Sequence, residues 1–324
     1  MKAALCKNFD GPDSIVIEDI PDPVAAAGEV VVRVRAAALN FFDTLIIRNK
    51  YQVKPPLPFS PCSEAAGDIE SIGPGVTGFK VGDRVISYGG FGAAREKIAV
   101  KAAILTPIPE GVSYETAAGV TVTYGTGYYG LKDRGHLKAG ETLAVLGASG
   151  GAGLAAVELG KRMGARVIAV ASTAEKLAIC TQHGADEVIN YATEDLKDAL
   201  KRVTGGKGVD VVYDCVGGPY AEPAIRSMAW GGRFLVIGFA AGEIPKIPLN
   251  LMLLKSCDVV GVFWGGSLQK EPRLNADNMA QILGWLADGS LKLHIGATYP
   301  LAQIADALKA FEQRTVTGKV IVTI

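Results

Sequence analysis

Thr142-Leu143-Ala144-Val145-Leu146-Gly147-Ala148-Ser149-Gly150-Gly151-Ala152-Gly153-Leu154 is the stretch whose reading decides the fold. Thr142 to Leu146 is a short apolar run of the kind buried in a parallel sheet, and a glycine-rich turn follows it. Gly153 to Met163 then carries Leu154, Val157 and Leu159 at helical spacing, and Arg166 to Ala171 is a second apolar strand. Strand, tight turn, helix and strand make a β-α-β unit with its glycines where strand meets helix. Outward-facing N–H groups at such a helix start suit a pyrophosphate, and glycine lets the backbone come close to it. Against the plain G-x-G-x-x-G pattern, Ala148 stands at the first glycine, Gly150 at the second and Gly153 at the third. The expected phosphate contacts are Ser149, Gly150, Gly151 and Ala152.

Working outward, strands are predicted near 142–146, 166–171, 187–189, 209–213, 233–237 and 258–262. Helices are predicted over Thr173 to His183, Leu196 to Val203 and Pro219 to Met228. Six strands alternating with helices indicate an α/β, doubly wound parallel sheet, a Rossmann domain over residues 121–264. Before it, residues 1–120 show short strands between Gly and Pro turns and read as a mostly β domain. Glu29 to Ala37 alternates, with Val30, Val32 and Val34 on one face and Val31, Arg33 and Arg35 on the other. The tail, 265–324, holds two helices (about 275–288 and 301–312) and a last strand, and is expected to return to the first domain. A cleft between the domains would face the nucleotide.

The 324 residues carry 33 Lys+Arg and 33 Asp+Glu, so no net charge favours nucleic acid or an anionic membrane. No apolar run is long enough to span a bilayer, and the first residues lack signal-peptide architecture. Five scattered cysteines suggest reduced thiols in a cytoplasmic protein, not a disulfide framework.

The second strand ends Val170-Ala171-Ser172-Thr173-Ala174-Glu175-Lys176, with no carboxylate at its tip for the ribose hydroxyls of NAD. Ser172 can donate to a 2′-phosphate and Lys176 can neutralise it, which favours NADPH. Ser172-x-x-Glu175 also has capping-box spacing, which is compatible with a phosphate site.

The chain resembles the zinc-independent medium-chain dehydrogenase/reductases of the NADPH:quinone oxidoreductase, zeta-crystallin-like family. The matching segments are Ala38 to Asp43, Pro58 to Pro61, Glu64 to Gly67, Gly82 to Val85, Ala148 to Gly153, Asp214 to Gly218 and Arg314 to Lys319. The resemblance implies a GroES-like catalytic domain, a Rossmann domain and usually a homodimer. The family commonly has glycine where this chain has Cys62, so a differently shaped loop is expected there. Zinc-dependent relatives use Cys and His ligands where this chain has Asn40 and Ser63, and a structural zinc lobe would need four close cysteines. No metal is therefore expected. Without a Lewis acid, the fitting acceptors are electron-poor: a quinone first, and alternatively the C=C bond of an enone or enoyl thioester. A third reading is an NADPH-binding protein with little turnover.

The resemblance also suggests site residues. Tyr51 lines the pocket in this reading and hydrogen-bonds a developing oxyanion; otherwise it packs on the prolines after it. Asn40 lies near the nicotinamide ribose and substrate. Asp43 joins it as a catalytic candidate, although a helix-start role fits it better. Thr126 and Tyr129 approach the cofactor phosphates, Tyr191 the adenosine 2′-phosphate, and Arg314 the phosphate region. Cys215, Phe239, Val262, Phe263 and Trp264 follow strand ends at the nucleotide edge, where Phe263 and Trp264 could equally be core or dimer-contact aromatics.

Overall fold

The computed structural model describes residues 1–324 and divides into two compact units, Met1–Val122 with Leu283–Ile324, and Thr123–Ile282. The second unit therefore runs past residue 264. The helix Trp264–Lys270 and most of Pro272–Ala287 belong to it, and the chain re-enters the first unit at Leu283.

The second unit holds six parallel strands. Across the sheet they run Glu187–Asn190, Arg166–Ala171, Thr142–Leu146, Val209–Asp214, Met228–Val236 and Asp258–Gly261. The order reverses on either side of Thr142–Leu146, the doubly wound arrangement the alternating pattern predicts. Leu143, Ala144 and Val145 have no exposed surface, which is why this strand reads as a continuous apolar run.

Two elements differ from their sequence reading. Pro219 to Met228 is not one helix: a 3-10 turn, Gly218–Tyr220, leads into Ala221–Arg226, and Met228 already opens the next strand. Gly217 (φ 66°) and Gly218 (φ 58°) hold a left-handed backbone ahead of that turn. The cap before Ala174–Gln182 is Thr173, whose Oγ1 accepts from Lys176 N at 3.3 Å. The Ser172-x-x-Glu175 reading is thus one residue early: the strand runs through Ala171, and Thr173 is the cap, with extended backbone and its side chain on Lys176 N.

The first unit is built on a seven-stranded sheet whose central strand, Glu29–Leu39, pairs with Glu64–Ile72, Lys97–Lys101 and Lys319–Thr323. Val30, Val32 and Val34 are buried, and on the other face Arg33 and Arg35 reach across to Glu70 and Asp68. The C-terminal strand Lys319–Thr323 thus completes a sheet begun some 280 residues earlier. No helix is long and apolar enough to cross a membrane.

Candidate functional site in two parts, a glycine-rich helix start and a buried ion pair

In the second unit the turn after Thr142–Leu146 is fixed from its neighbour. The N–H groups of Gly147 and Ala148 both donate to Val170 O, each at 3.1 Å. Gly147 carries the positive φ of 72°, and Ala148 does not share it, so alanine is tolerated where the motif has its first glycine. Helix Gly151–Arg162 starts from Gly150 with no side-chain cap, which leaves its first-turn N–H groups open to an anion. A Cβ on Gly153 would stand 2.1 Å from Gly147 O, so only glycine lets helix and turn approach this closely. Close helix-to-turn packing with an uncapped helix start fits a dinucleotide pyrophosphate.

The ends of the neighbouring strands gather the other candidates. Tyr191 N donates to Ala171 O, which brings Tyr191 beside Ser172, and its ring meets Tyr220 at 4.5 Å between centroids. Ser172 is half-buried, and the cap at Thr173 leaves its hydroxyl out of the helix start. Asp214, almost fully buried, accepts from Val216 N (2.8 Å) and Gly217 N (2.9 Å) and so shapes the loop that presents Cys215. Burial pushes both the Asp214 carboxyl and the Cys215 thiol up, which keeps Cys215 a neutral thiol. Phe239 packs on Gly217, where a Cβ would be 2.9 Å from its ring. Val262 is buried beyond the next strand.

Other candidates have other commitments. The Tyr129 hydroxyl donates to Glu271 at 2.9 Å. Trp264 is buried against Gly125, whose missing side chain makes room for the indole, while Phe263 is 67% exposed. Thr126 is half-buried on helix Tyr114–Tyr128. Arg314, in the first unit, follows helix Ile304–Glu312 with a left-handed φ of 56°.

The first unit contains a sealed polar cluster. Lys319, 2% exposed, donates from Nζ to Asn40 Oδ1 (2.7 Å), Glu64 Oε1 (2.8 Å) and Leu39 O (3.2 Å). Asn40 Nδ2 donates to Glu64 Oε1 (2.9 Å) and Ser63 Oγ (3.3 Å), and Val122 N donates to Glu64 Oε2 (2.9 Å). The buried charges therefore meet each other and a full set of dipoles, the condition under which such a pair is tolerated. Asn40 has spent both amide hydrogens and keeps one Oδ1 lone pair for anything else. Asp43 accepts from Asn40 N (2.8 Å) and Cys62 N (3.0 Å), so its geometry is that of a helix-start residue. Tyr51 stacks on Phe42 at 5.2 Å and 15°; burial first, and the nearby Asp43 charge second, raise its phenol above the ordinary value. Cys62 adopts φ 65°, a left-handed backbone that favours glycine. The strain, about 1 kcal/mol, is held by the Asp43 bond and by Ala93 N donating to Cys62 O.

Residues 26–110 match the alcohol dehydrogenase GroES-like domain, and 151–281 match the zinc-binding dehydrogenase domain. The chain is 37% identical to the quinone oxidoreductase-like protein 2 homolog of Nematostella vectensis, covering 99% of this chain and 88% of the relative. It is 32% identical to human quinone oxidoreductase, covering 95% and 92%. This chain belongs to the quinone oxidoreductases of the medium-chain dehydrogenase/reductase family. A solved Escherichia coli quinone oxidoreductase in complex with NADPH superposes with a TM-score of 0.94 at 29% identity, covering 100% of both chains.

In this medium-chain reductase no three His, Cys, Asp or Glu side chains converge as a metal site would require. The turn at Asn40 and Ser63 is occupied by the Lys319 ammonium. Glu64 and Lys319 carried no role in the sequence, because a charged residue flanking an apolar strand ordinarily reads as a solvated end. Nothing local pairs position 64 with position 319. Asp214 had a local signal, an Asp ahead of two glycines at a strand end.

Desolvation raises the Asp43 carboxyl from 3.8 to about 7. The folded state then binds a proton more tightly than the unfolded chain, so this group's stability contribution falls as pH rises from about 4 to 7 and is level above that. Urea unfolding of wild type and Asp43→Asn across this range is expected to show the wild type losing ground to the variant up to about pH 7. A difference independent of pH would show that Asp43 does not titrate in this window.

Proposed function

We propose that the protein is an NADPH-dependent reductase that delivers a hydride to a quinone without a metal. What carries this reading is the uncapped glycine-rich helix start, with Ser172, Lys176 and Tyr191 following the ends of the next two strands and no carboxylate at the tip Val170-Ala171-Ser172. Membership among quinone oxidoreductases and the NADPH-bound Escherichia coli neighbour support it.

The bound dihydronicotinamide supplies one hydride, and solvent or a side chain supplies the proton that completes the quinol. Gly150, Gly151 and Ala152, with Ser149, hold the pyrophosphate through backbone N–H groups. Ser172 and Lys176 take the 2′-phosphate by hydrogen bond and charge. Tyr51, a neutral phenol that burial holds still further from ionisation, donates to the acceptor oxygen as negative charge develops there. Asn40, Asp43, Glu64 and Lys319 keep the backbone around that phenol fixed.

A second reading, reduction of the C=C bond of an enone or enoyl thioester, is favoured by the same phenol, since an enolate needs a proton where a quinol anion is already resonance-stabilised. A small-molecule electrophile is the partner in both. Steady-state NADPH oxidation with a quinone panel and an enone panel separates them: turnover of quinones supports the assignment, and turnover of enones alone replaces it. Tyr51→Phe is expected to lower kcat with enones by roughly tenfold or more and to affect quinones less; unchanged enone turnover removes Tyr51 as donor.

Lys176→Ala is expected to weaken NADPH roughly tenfold while leaving NADH nearly unchanged. Equal losses for both coenzymes in a fluorescence titration would show that Lys176 does not reach the 2′-phosphate.

The partner protein in this reading is a second copy. The edge strand Asp258–Gly261 is unpaired on one side and flanked by exposed Leu253 (78%), Leu254 (68%) and Phe263 (67%). Light scattering is expected to give the dimer mass, reduced to that of the monomer by Val259→Lys; a monomeric wild type would refute the pairing.

A further inference from the structure

The arginines of this protein that form ion pairs include quite exposed ones: Arg33 meets Glu70 with half its side chain in solvent, and Arg202 meets Glu194 at 61% exposure. Arg95 is the contrary case. It is half-buried in the first unit, no carboxylate lies within ion-pair distance, and burial pulls its guanidinium down with no acid to offset it. Its neighbour Glu96 is turned to Lys2 N, at 2.7 Å. The one side-chain hydrogen bond of the Arg95 head is Nε donating to Ser60 Oγ at 3.1 Å.

That contact fixes the fork. Ser60 has no exposed surface and is held by Gly92 N donating to its carbonyl at 2.8 Å. With Nε committed, the two terminal nitrogens remain, the edge of the guanidinium that takes an oxyanion through two parallel bonds. The Ser60 hydroxyl accepts from Nε and, having no surface of its own, braces the guanidinium without facing solvent. The glycine loop beside it leaves room: a Cβ built on Gly90 or Gly92 meets nothing within 4 Å. Phe59 and Phe91, next in sequence to Ser60 and Gly92, pack edge to face at 6.1 Å and line the same pair of loops with apolar surface.

We propose that Arg95, braced by Ser60, is an oxyanion-binding group that takes the carboxylate or phosphate of a small molecule. A half-buried cation without a counter-charge is costly until an anion supplies one, and the terminal nitrogens offer that anion charge-assisted hydrogen bonds. The site needs no coenzyme and no turnover, so it stands or falls separately from the reductase reading.

Calorimetric titration of the full-length protein with benzoate and with inorganic phosphate tests it, and the two arms tell an aromatic carboxylate from a phosphate. At least one anion is expected to bind, roughly tenfold or more weaker in Arg95→Gln. Arg95→Lys keeps the charge but not the fork and is expected to fall between. The wild type gives a second readout: phenylglyoxal modification of Arg95, followed by peptide mass, is expected to be slowed by the anion that binds. Equal affinity in wild type and Arg95→Gln, absence of binding by both anions, or modification of Arg95 at an unchanged rate would overturn the proposal.

Discussion

The ion pair between Lys319 and Glu64 is the constraint on which the first unit depends. It joins residues 255 positions apart, both essentially without solvent, and draws Asn40, Ser63, Leu39 and Val122, where the first unit's leading segment ends, into one hydrogen-bonded group. Removing one partner would strand the other charge in the interior, which typically costs about 3–5 kcal/mol. The pair therefore ties the last strand into the sheet and holds the Asn40 turn from which the helix Phe41–Ile46 starts. Tyr51 takes its place from that turn by stacking on Phe42.

The pair also sets the surroundings of Asn40 and Ser63. Where metal-dependent relatives use Cys and His, this chain places an amide and a hydroxyl beside an ammonium that already neutralises Glu64. Asn40 and Asp43, attractive as catalytic residues by position, spend their polar atoms on this scaffold.

In the second unit the corresponding constraint is steric. Gly153 lets the helix close on the Gly147 carbonyl, and Gly147 takes the left-handed turn, so the first-turn N–H groups end up uncapped at the edge where the strand order reverses. That arrangement was legible from residues 142–171, because every interaction in it is local: apolar run, turn glycines and helical spacing lie within one β-α-β unit. The same locality made the boundaries of five of the six Rossmann strands readable to within one residue; the fifth begins at Met228, five residues before the predicted 233. It failed at Pro219 to Met228, where two left-handed glycines and a long partner strand override helical composition, and at the Thr173 cap, which the extent of the strand before it decides.

The sequence by itself determined the two-unit plan, the parallel sheet with its phosphate turn, and the neutral charge balance, since periodicity, glycine placement and composition act over a few residues at a time. Only the tertiary structure decided which charged residues are buried and with whom. Lys319 with Glu64, Tyr129 with Glu271, Trp264 under Gly125, and Arg95 with Ser60 in place of an acid are pairings between distant segments. Burial and partnership are properties of the packed chain, set by which strands and loops come together in space, and no local pattern of residue types encodes them.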